Sequence, residues 1–189
     1  MIPIRADSVR VAQPLFHEAG SGSIPTSALD LWFLDSSIET VIRLNKCWHS
    51  MLPKVFASNI TRCSNKALFV AEFNGVYYAS AIWTNPSAML VPQYEWLELR
   101  RLAIAPDAPR NTASRMLAWM TRAIRTRFPN VNKLISYQDC DVHKGTIYKA
   151  AGWIPTVQSK DHRNRGLRSG RKRNMSQTTA TKQRWEKDL

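Results

Sequence analysis

At 189 residues the chain is sized for one domain plus a tail, and with 44% hydrophobic residues it can bury a sizeable core. Its 27 Lys and Arg outnumber 14 Asp and Glu, and the net charge of +13 favours a polyanionic partner, nucleic acid before membrane. No apolar run reaches spanning length and no signal peptide is legible, so the expected protein is soluble and cytoplasmic, with no membrane partner.

Residues 1–25 mix Pro14, Gly20, Gly22 and Pro25 with serines, and read as a short strand or arm followed by a flexible loop. Residues 29–34, LDLWFL, suit a buried sheet edge. Ser36 or Ser37 then caps a helix, with Glu39 at capping-box spacing from Ser36. Ile38, Val41, Ile42 and Leu44 or Asn45 make its inner face, and Pro53 stops it. Trp48 and His49 close the helix. A histidine there is favoured by the negative dipole end, which is the plainer reading; the functional reading is a base, a metal ligand or a DNA contact. Trp48 reads as core or as a platform for a stacked base. The cysteines, Cys47, Cys63 and Cys140, lack CxxC spacing and are odd in number, which excludes a zinc finger and reads as reduced thiols.

Residues 67–71 and 76–82 flank Asn74-Gly75, a strong hairpin signal, and their aromatic and β-branched content suits two paired strands. Tyr77 and Tyr78 are adjacent, so one faces each side of the sheet, with core packing the favoured role. Residues 85–92 make a loop with two prolines.

Residues 96–104, WLELRRLAI, are the next strand. Strict alternation would put Leu97, Leu99, Arg101 and Ala103 on one face, and Glu98, Arg100, Leu102 and Ile104 on the other. Both faces would then mix charge with aliphatics. A β-bulge near Arg100 and Arg101 repairs the pattern, splays the neighbouring strands and frees backbone groups for a ligand. Arg101 then turns into a cleft; the plainer reading makes it a surface arginine paired with Glu98. Pro106 and Pro109 force a turn. Asn111 or Thr112 caps a helix with Ala113, Met116, Leu117, Met120 and Ile124 on one face and Arg115, Arg122 and Arg125 on the other. The unpaired N–H groups at its start, with Arg110 just ahead, suit an anion such as a pyrophosphate.

Residues 133–153, KLISYQDCDVHKGTIYKAAGW, read as strand, loop, short helix ended by Gly152, then an aromatic. Asp139 and Asp141 fall at the strand's carboxyl end near His143, where ligands gather but where Asp also makes ordinary turns. Trp153, Ile154 and Val157 form a last core strand interrupted by Pro155. Residues 159–189 are compositionally separate and basic. Alone they would be disordered; Arg163, Arg165, Arg168, Arg171, Lys172 and Arg173 are expected to order on a phosphate backbone. The expected division is a catalytic domain over 1–158 and a nucleic-acid-binding tail over 159–189.

The strand-loop-helix of 97–128, followed by a strand and the YKAAGW helix end, resembles the core of the GCN5-related N-acyltransferase fold. The fold class implied is α+β, a mixed central sheet flanked by helices. In that family the first loop holds the coenzyme A pyrophosphate, and a tyrosine of the second helix often protonates the leaving thiolate; Tyr148 matches it. Donor binding then falls to Leu102, Ala103, Arg110, Asn111, Thr112, Ala113 and Ser114. The commoner loop carries Gly-x-Gly or Gly-x-Ala. Here RNTAS takes its place, and the Thr112 and Ser114 hydroxyls are expected to replace some anion contacts.

The words LELRRLAIAPDAPRNTAS, LISYQDCDVHKGTIYKAAGW and NKCWHSMLP together resemble the Mom proteins of Mu-type phages, over 28–155. The resemblance implies an enzyme acting on double-stranded DNA in the cytoplasm of an infected bacterial host. It would convert adenine to its N6-carbamoylmethyl form and so shield phage DNA from restriction. His49, Arg101, Asp139 and Tyr148 are the catalytic candidates, and Trp48 a DNA contact. The donor is acetyl coenzyme A or a glycine-derived molecule such as glycyl-tRNA. A metal ion such as iron is a further option, with His49 and Asp139 as its two candidate ligands; a homodimer is compatible with the sequence. The alternatives are a conventional acyl-coenzyme A N-acyltransferase for a protein, tRNA or small amine, and a non-catalytic basic nucleic-acid-binding protein.

Overall fold

The computed structural model describes residues 24–49, 55–159 and 181–189. Its centre is a seven-stranded mixed sheet in the order β1-β2-β3-β4-β5-β7-β6. The strands are β1 (Trp32–Asp35), β2 (Lys66–Phe73), β3 (Val76–Thr84), β4 (Trp96–Ile104), β5 (Lys133–Asp139), β6 (Ile154–Ser159) and β7 (Lys182–Asp188). The helices are α1 (Ile38–Trp48), α2 (Ala57–Thr61), α3 (Thr112–Arg127) and α4 (Thr146–Ala150). All strand pairs are antiparallel except β4 with β5.

The expected hairpin forms around Asn74 (φ 49°) and Gly75 (φ 77°), both in the left-handed region that a two-residue hairpin turn requires. Glu72 accepts a hydrogen bond from the Gly75 N–H and so ties the turn to its strand. β2 and β3 are buried on both faces, which explains their nearly continuous apolar sequence. Tyr78 packs with Phe69, Trp83, Leu97 and the buried face of α3, while Tyr77 packs with Val41, Leu44 and Ile82 on the α1 side. The two adjacent tyrosines therefore do serve the two cores.

Ser37, not Ser36, is the N-cap of α1: its Oγ accepts the Thr40 N–H at 3.1 Å. Ser36 is unavailable because its N–H still belongs to the sheet, donating to Leu68 O at 2.9 Å. α3 is as its periodicity predicts, with Met116, Leu117, Met120 and Ile124 fully buried and Arg115, Arg122 and Arg125 exposed. The short helix α2 has no counterpart in the sequence reading. Five residues, ASNIT, are too few to show a period, although Ile60 is buried to 1%.

The main departure lies at the C-terminus. Lys182–Asp188 does not belong to a detached tail; it is strand β7, inserted between β5 and β6 and paired over its whole length with β5. The physical reason is visible once the strand is formed. Trp185 goes to the core at 2% exposure, and Glu186, also buried, is held by Lys133 at 2.8 Å and Arg184 at 2.7 Å. Burial opposes ionisation of Glu186, but the hydrogen bonds from Lys133 and Thr156 and the charge of Arg184 win, and its pKa falls below the usual value. The basic character read as a phosphate-binding surface is thus partly spent on one internal carboxylate. Arg163, Arg165, Arg168, Arg171, Lys172 and Arg173 lie outside the described residues, as do 1–23 and Pro53.

Candidate active site

The strand β4 carries the irregularity its sequence demands. Ile82 pairs with Arg101 but Trp83 pairs with Leu99, so Arg100 is the extra residue of a bulge. Its effect on the side chains is to put Leu97, Leu99, Leu102 and Ile104 toward the α3 core while Glu98 and Arg101 turn to the opposite, α1 side. β4 and β5 pair in parallel only from Trp96 with Lys133 to Leu99 with Ser136. Beyond that point the two strands run on unpaired with each other, one to Ile104 and the other to Asp139. A V-shaped opening therefore begins where the bulge lies.

On the α1 side of this opening stand Arg101 and His49. His49 is the C-cap of α1, its N–H donating to Asn45 O at 2.9 Å. Burial first, then the charges of Arg101 and His143, push the imidazole pKa below its usual value. His49 is therefore neutral near pH 7 and able to accept a proton. Arg101 is half-buried and donates to its neighbour's carbonyl, Arg100 O, at 2.7 Å. Its pKa is also lowered, by burial and by Arg100, with Glu98 opposing. Arg100 makes an ion pair with Glu98 at 3.6 Å. Val55, Asn59, Ile60, Ile82, Thr84, Arg100 and Arg101 line a cleft on this side. Trp48 packs partly buried against the α1 core.

On the α3 side stands Tyr148. It is 8% exposed, and its Oη lies 2.8 Å from Ser136 Oγ. Ser136 is the last β5 residue paired with β4, so the phenol sits at the vertex of the V. Burial raises the Tyr148 pKa, with the Ser136 hydrogen bond opposing. The phenol is thus a protonated group at neutral pH, a proton donor rather than a base.

Tyr148 is held by residues whose supporting role the sequence did not show. Its ring stacks on Trp185 of β7, centroids 5.3 Å apart and planes 14° from parallel, and tilts against Trp153 at 5.7 Å. Trp185 Nε1–H donates to Gln138 Oε1 at 2.6 Å, and Gln138 Nε2–H donates to His143 O. Gly145, the N-cap of α4, has φ 72°, and a Cβ there would meet Gln138 Oε1 at 2.6 Å as well as the Trp185 ring. Only glycine lets α4 start this close to the indole.

The start of α3 is the third part. Asn111 is its N-cap at φ 68°, a left-handed conformation that Asn tolerates among L-residues better than most. The Thr112 and Ser114 hydroxyls, expected to replace some anion contacts, bond within the turn in this structure. Thr112 Oγ1 donates to Pro109 O at 2.7 Å and Ser114 Oγ to Asn111 O at 3.1 Å, so both donors are committed to the turn. What remains is backbone: among the described residues no carbonyl pairs with the Ala113 and Ser114 N–H groups, which open the 16-residue helix beside exposed Arg110. Leu102, half-buried, and Ala103, buried, continue β4 along the edge of the opening.

Asp139 ends β5, where its Oδ1 accepts the Asp141 N–H at 3.1 Å and its carbonyl accepts the His143 N–H at 3.0 Å. This is turn chemistry. Among the described residues no three His, Cys, Asp or Glu side chains converge as a metal site. His49 and Asp139 therefore do not form one by themselves, and no step below depends on a metal.

The architecture is that of the GCN5-related N-acyltransferases. Similar solved structures include an acetyltransferase of Bacillus subtilis in complex with CoA (8% identity, TM-score 0.56, 84% of this chain and 97% of that one). Others are the ribosomal-protein-alanine N-acetyltransferase of Brucella melitensis (15%, 0.60, 84% and 99%) and yncA of Salmonella typhimurium, a putative acetyltransferase with its cofactor acetyl-CoA (12%, 0.60, 85% and 94%). No curated protein matches the sequence. A family model, however, covers residues 71–188, and by it the chain belongs to the Mom protein family. The match runs through β7.

Proposed function

We propose that this protein modifies adenine in double-stranded DNA, placing a carbamoylmethyl group on N6, and so serves a phage in evading host restriction inside the infected cell. Membership of the Mom family over 71–188 is the observation that carries this reading. The site supports it in a division of labour across the sheet.

The adenine would enter on the α1 side, since that side holds a neutral His49 to accept the N6 proton and Arg101 to hold a carbonyl or phosphate oxygen. N6 is a poor nucleophile inside a stacked duplex, so the base leaves the stack at a cost of a few kcal/mol. Trp48, half-buried beside His49, offers a surface for the extruded purine. Asp139 is assigned to shaping the turn that carries His143.

The donor would lie on the α3 side. The Ala113 and Ser114 amides at the helix mouth suit the phosphates of an acyl-coenzyme A, which supplies an activated acyl unit when bound. Tyr148 at the vertex, protonated and hydrogen-bonded to Ser136, is placed to give its proton to a leaving group. The product is joined through a CH2, not a carbonyl, so attack at the carbonyl carbon alone does not give it. A glycine-derived donor such as glycyl-tRNA carries the two carbons and the nitrogen of the group, but attack at its ester carbonyl would also join N6 through the carbonyl, so with either donor a further step must make the CH2 linkage. Incubation of the purified protein with each donor, followed by mass spectrometry of what it retains, distinguishes them.

The function itself is tested by digesting plasmid DNA from cells expressing the protein and weighing the nucleosides. A deoxyadenosine heavier by one carbamoylmethyl group is expected. Only ordinary nucleosides, together with acetyl transfer to a protein or small amine in vitro, would instead establish a conventional N-acyltransferase.

A further inference from the structure

The loop joining β3 to β4 ends in a turn whose chemistry is inverted. Val91 N–H donates to Ala88 O at 3.4 Å, which makes Met89 and Leu90 the two corner residues. Corners ordinarily take Gly, Pro, Asn or Asp, for reasons of backbone geometry and local hydrogen bonding. Here they are the two most solvent-exposed large apolar residues among those described, Met89 at 93% and Leu90 at 99%.

The loop beneath them is braced. Glu98, itself buried, accepts the Ser87 N–H at 2.7 Å and the Ser87 hydroxyl. Asn85 Nδ2–H donates to Gln93 O at 2.6 Å, and Gln93 Nε2–H donates to Ala88 O at 2.8 Å and Val91 O at 3.0 Å. Asn85 Oδ1 also accepts from Ser64 Oγ and Asn65 N–H, fixing the loop to the end of α2. Pro86 and Pro92 flank the turn. An apolar pair is thus displayed on a pre-ordered support rather than left on a floppy strand.

Its place ties it to the cleft. Thr84 and Arg100 line the cleft beside Arg101, and Glu98, which anchors Ser87, pairs with Arg100. Met89 is five residues beyond Thr84, at most about 18 Å of chain. Lys66 pairs with Thr84 at the loop base, and exposed Arg62 lies two residues before Ser64, which bonds Asn85; Glu95 is the exposed acid of the segment. With the chain's net charge of +13, the surroundings favour a polyanion over an apolar protein partner.

We propose that Met89 and Leu90 are a wedge that enters a base step of duplex DNA next to the adenine that is extruded. This rests on the DNA-modification reading. Extruding a base leaves a gap in the stack, and apolar side chains inserted between bases are a known means of holding DNA unstacked. A cleft within about five base steps of the wedge, at 3.4 Å per step, is near enough for both to act on one site.

The test compares duplex and single-stranded oligonucleotides of the same sequence, using wild type and the surface double variant Met89→Gln, Leu90→Gln. Adenine modification is read by mass spectrometry, and unstacking by the fluorescence of a 2-aminopurine beside the target. The variant is expected to lose roughly tenfold or more of duplex modification and most of the fluorescence rise, while changing less than about twofold on the single strand, which needs no wedge. An equal loss on both substrates, or an unchanged duplex rate, overturns the wedge and leaves the function standing. A variant that falls from dimer to monomer in sedimentation overturns it in favour of a second copy of the chain. Wild type that modifies neither substrate, whether supplied with acetyl coenzyme A or with glycyl-tRNA, overturns both readings.

Discussion

The β4–α3 arm and the C-terminal β6–β7 pair meet at Tyr148, yet they were built by different kinds of information. The arm is governed by local rules: a strand whose alternation fails, a bulge at Arg100 that mends it, two prolines, a left-handed Asn111 and an amphipathic helix. The C-terminal pair is governed by partners distant in sequence. Trp185 reaches back to Gln138 and Tyr148, and Glu186 to Lys133. The arm shapes the opening; the C-terminal strand keeps Tyr148 at its vertex.

The largest effect that would sharpen this contrast is chemical. Tyr148→Phe keeps the ring on Trp185 but removes the hydroxyl from Ser136, so we expect modification to fall by about 10²–10⁴-fold. Stability should change by only about 1 kcal/mol, the worth of one hydrogen bond. Nucleoside mass spectrometry with urea denaturation separates the two; a fall in both by comparable amounts would make Tyr148 merely structural.

Next comes the support itself. Trp185→Ala should destabilise by about 3–5 kcal/mol in denaturant, as for a buried aromatic. Trp185→Phe retains a stacking ring and loses the bond to Gln138, and should recover most of that stability. If Trp185→Ala unfolds no earlier than wild type, β7 is dispensable and the comparison fails.

A smaller effect separates two turns. Gly145→Ala and Gly75→Ala both force a left-handed alanine, at about 1–2 kcal/mol. Only at position 145 does the new Cβ also meet Trp185 and Gln138; at 75 nothing lies within 4 Å. The midpoint shift for Gly145→Ala should therefore exceed that for Gly75→Ala, and equal shifts would mean that α4 does not sit against the indole.

The mildest change tests charge on the arm. The His49 pKa is depressed, so the neutral form persists to lower pH and the acid limb of activity should lie below about pH 6.5, the usual histidine value. Removing a nearby positive charge with Arg101→Gln makes imidazolium easier to form, raises that pKa and moves the limb to higher pH, on top of any loss of rate. A limb that stays put, or moves to lower pH, would separate His49 from Arg101.

What could be read beforehand follows the same division. The hairpin at Asn74-Gly75, the bulge near Arg101, the buried face of α3 and the placement of Tyr148 in a short helix all rest on interactions within a few residues, whereas the fold class came from the family resemblance. The turn bonds of Thr112 and Ser114 were not legible, because a hydroxyl's partner is set by the turn it sits in, not by its identity. Ser36 lost its capping role to Ser37 because the sheet had already claimed its N–H. The strand β7 was hidden because KQRWEKD reads as a solvated basic run until Lys133 and Gln138 are brought beside it. Ser136, Gln138 and Gly145 lie within the stretch 134–153 that carries the resemblance, but their roles become meaningful only through Trp185 and Tyr148.

The account depends most on one opening, shared by a donor held on the α3 side and a base held on the α1 side. Backbone amide NMR during titration with coenzyme A tests it directly. The account predicts that the amide resonances of Ala113, Ser114 and Ser136 shift together along one binding curve, with those of α1 near His49 little changed. Shifts confined to β1 and α1, with none at 113, 114 or 136, would contradict it.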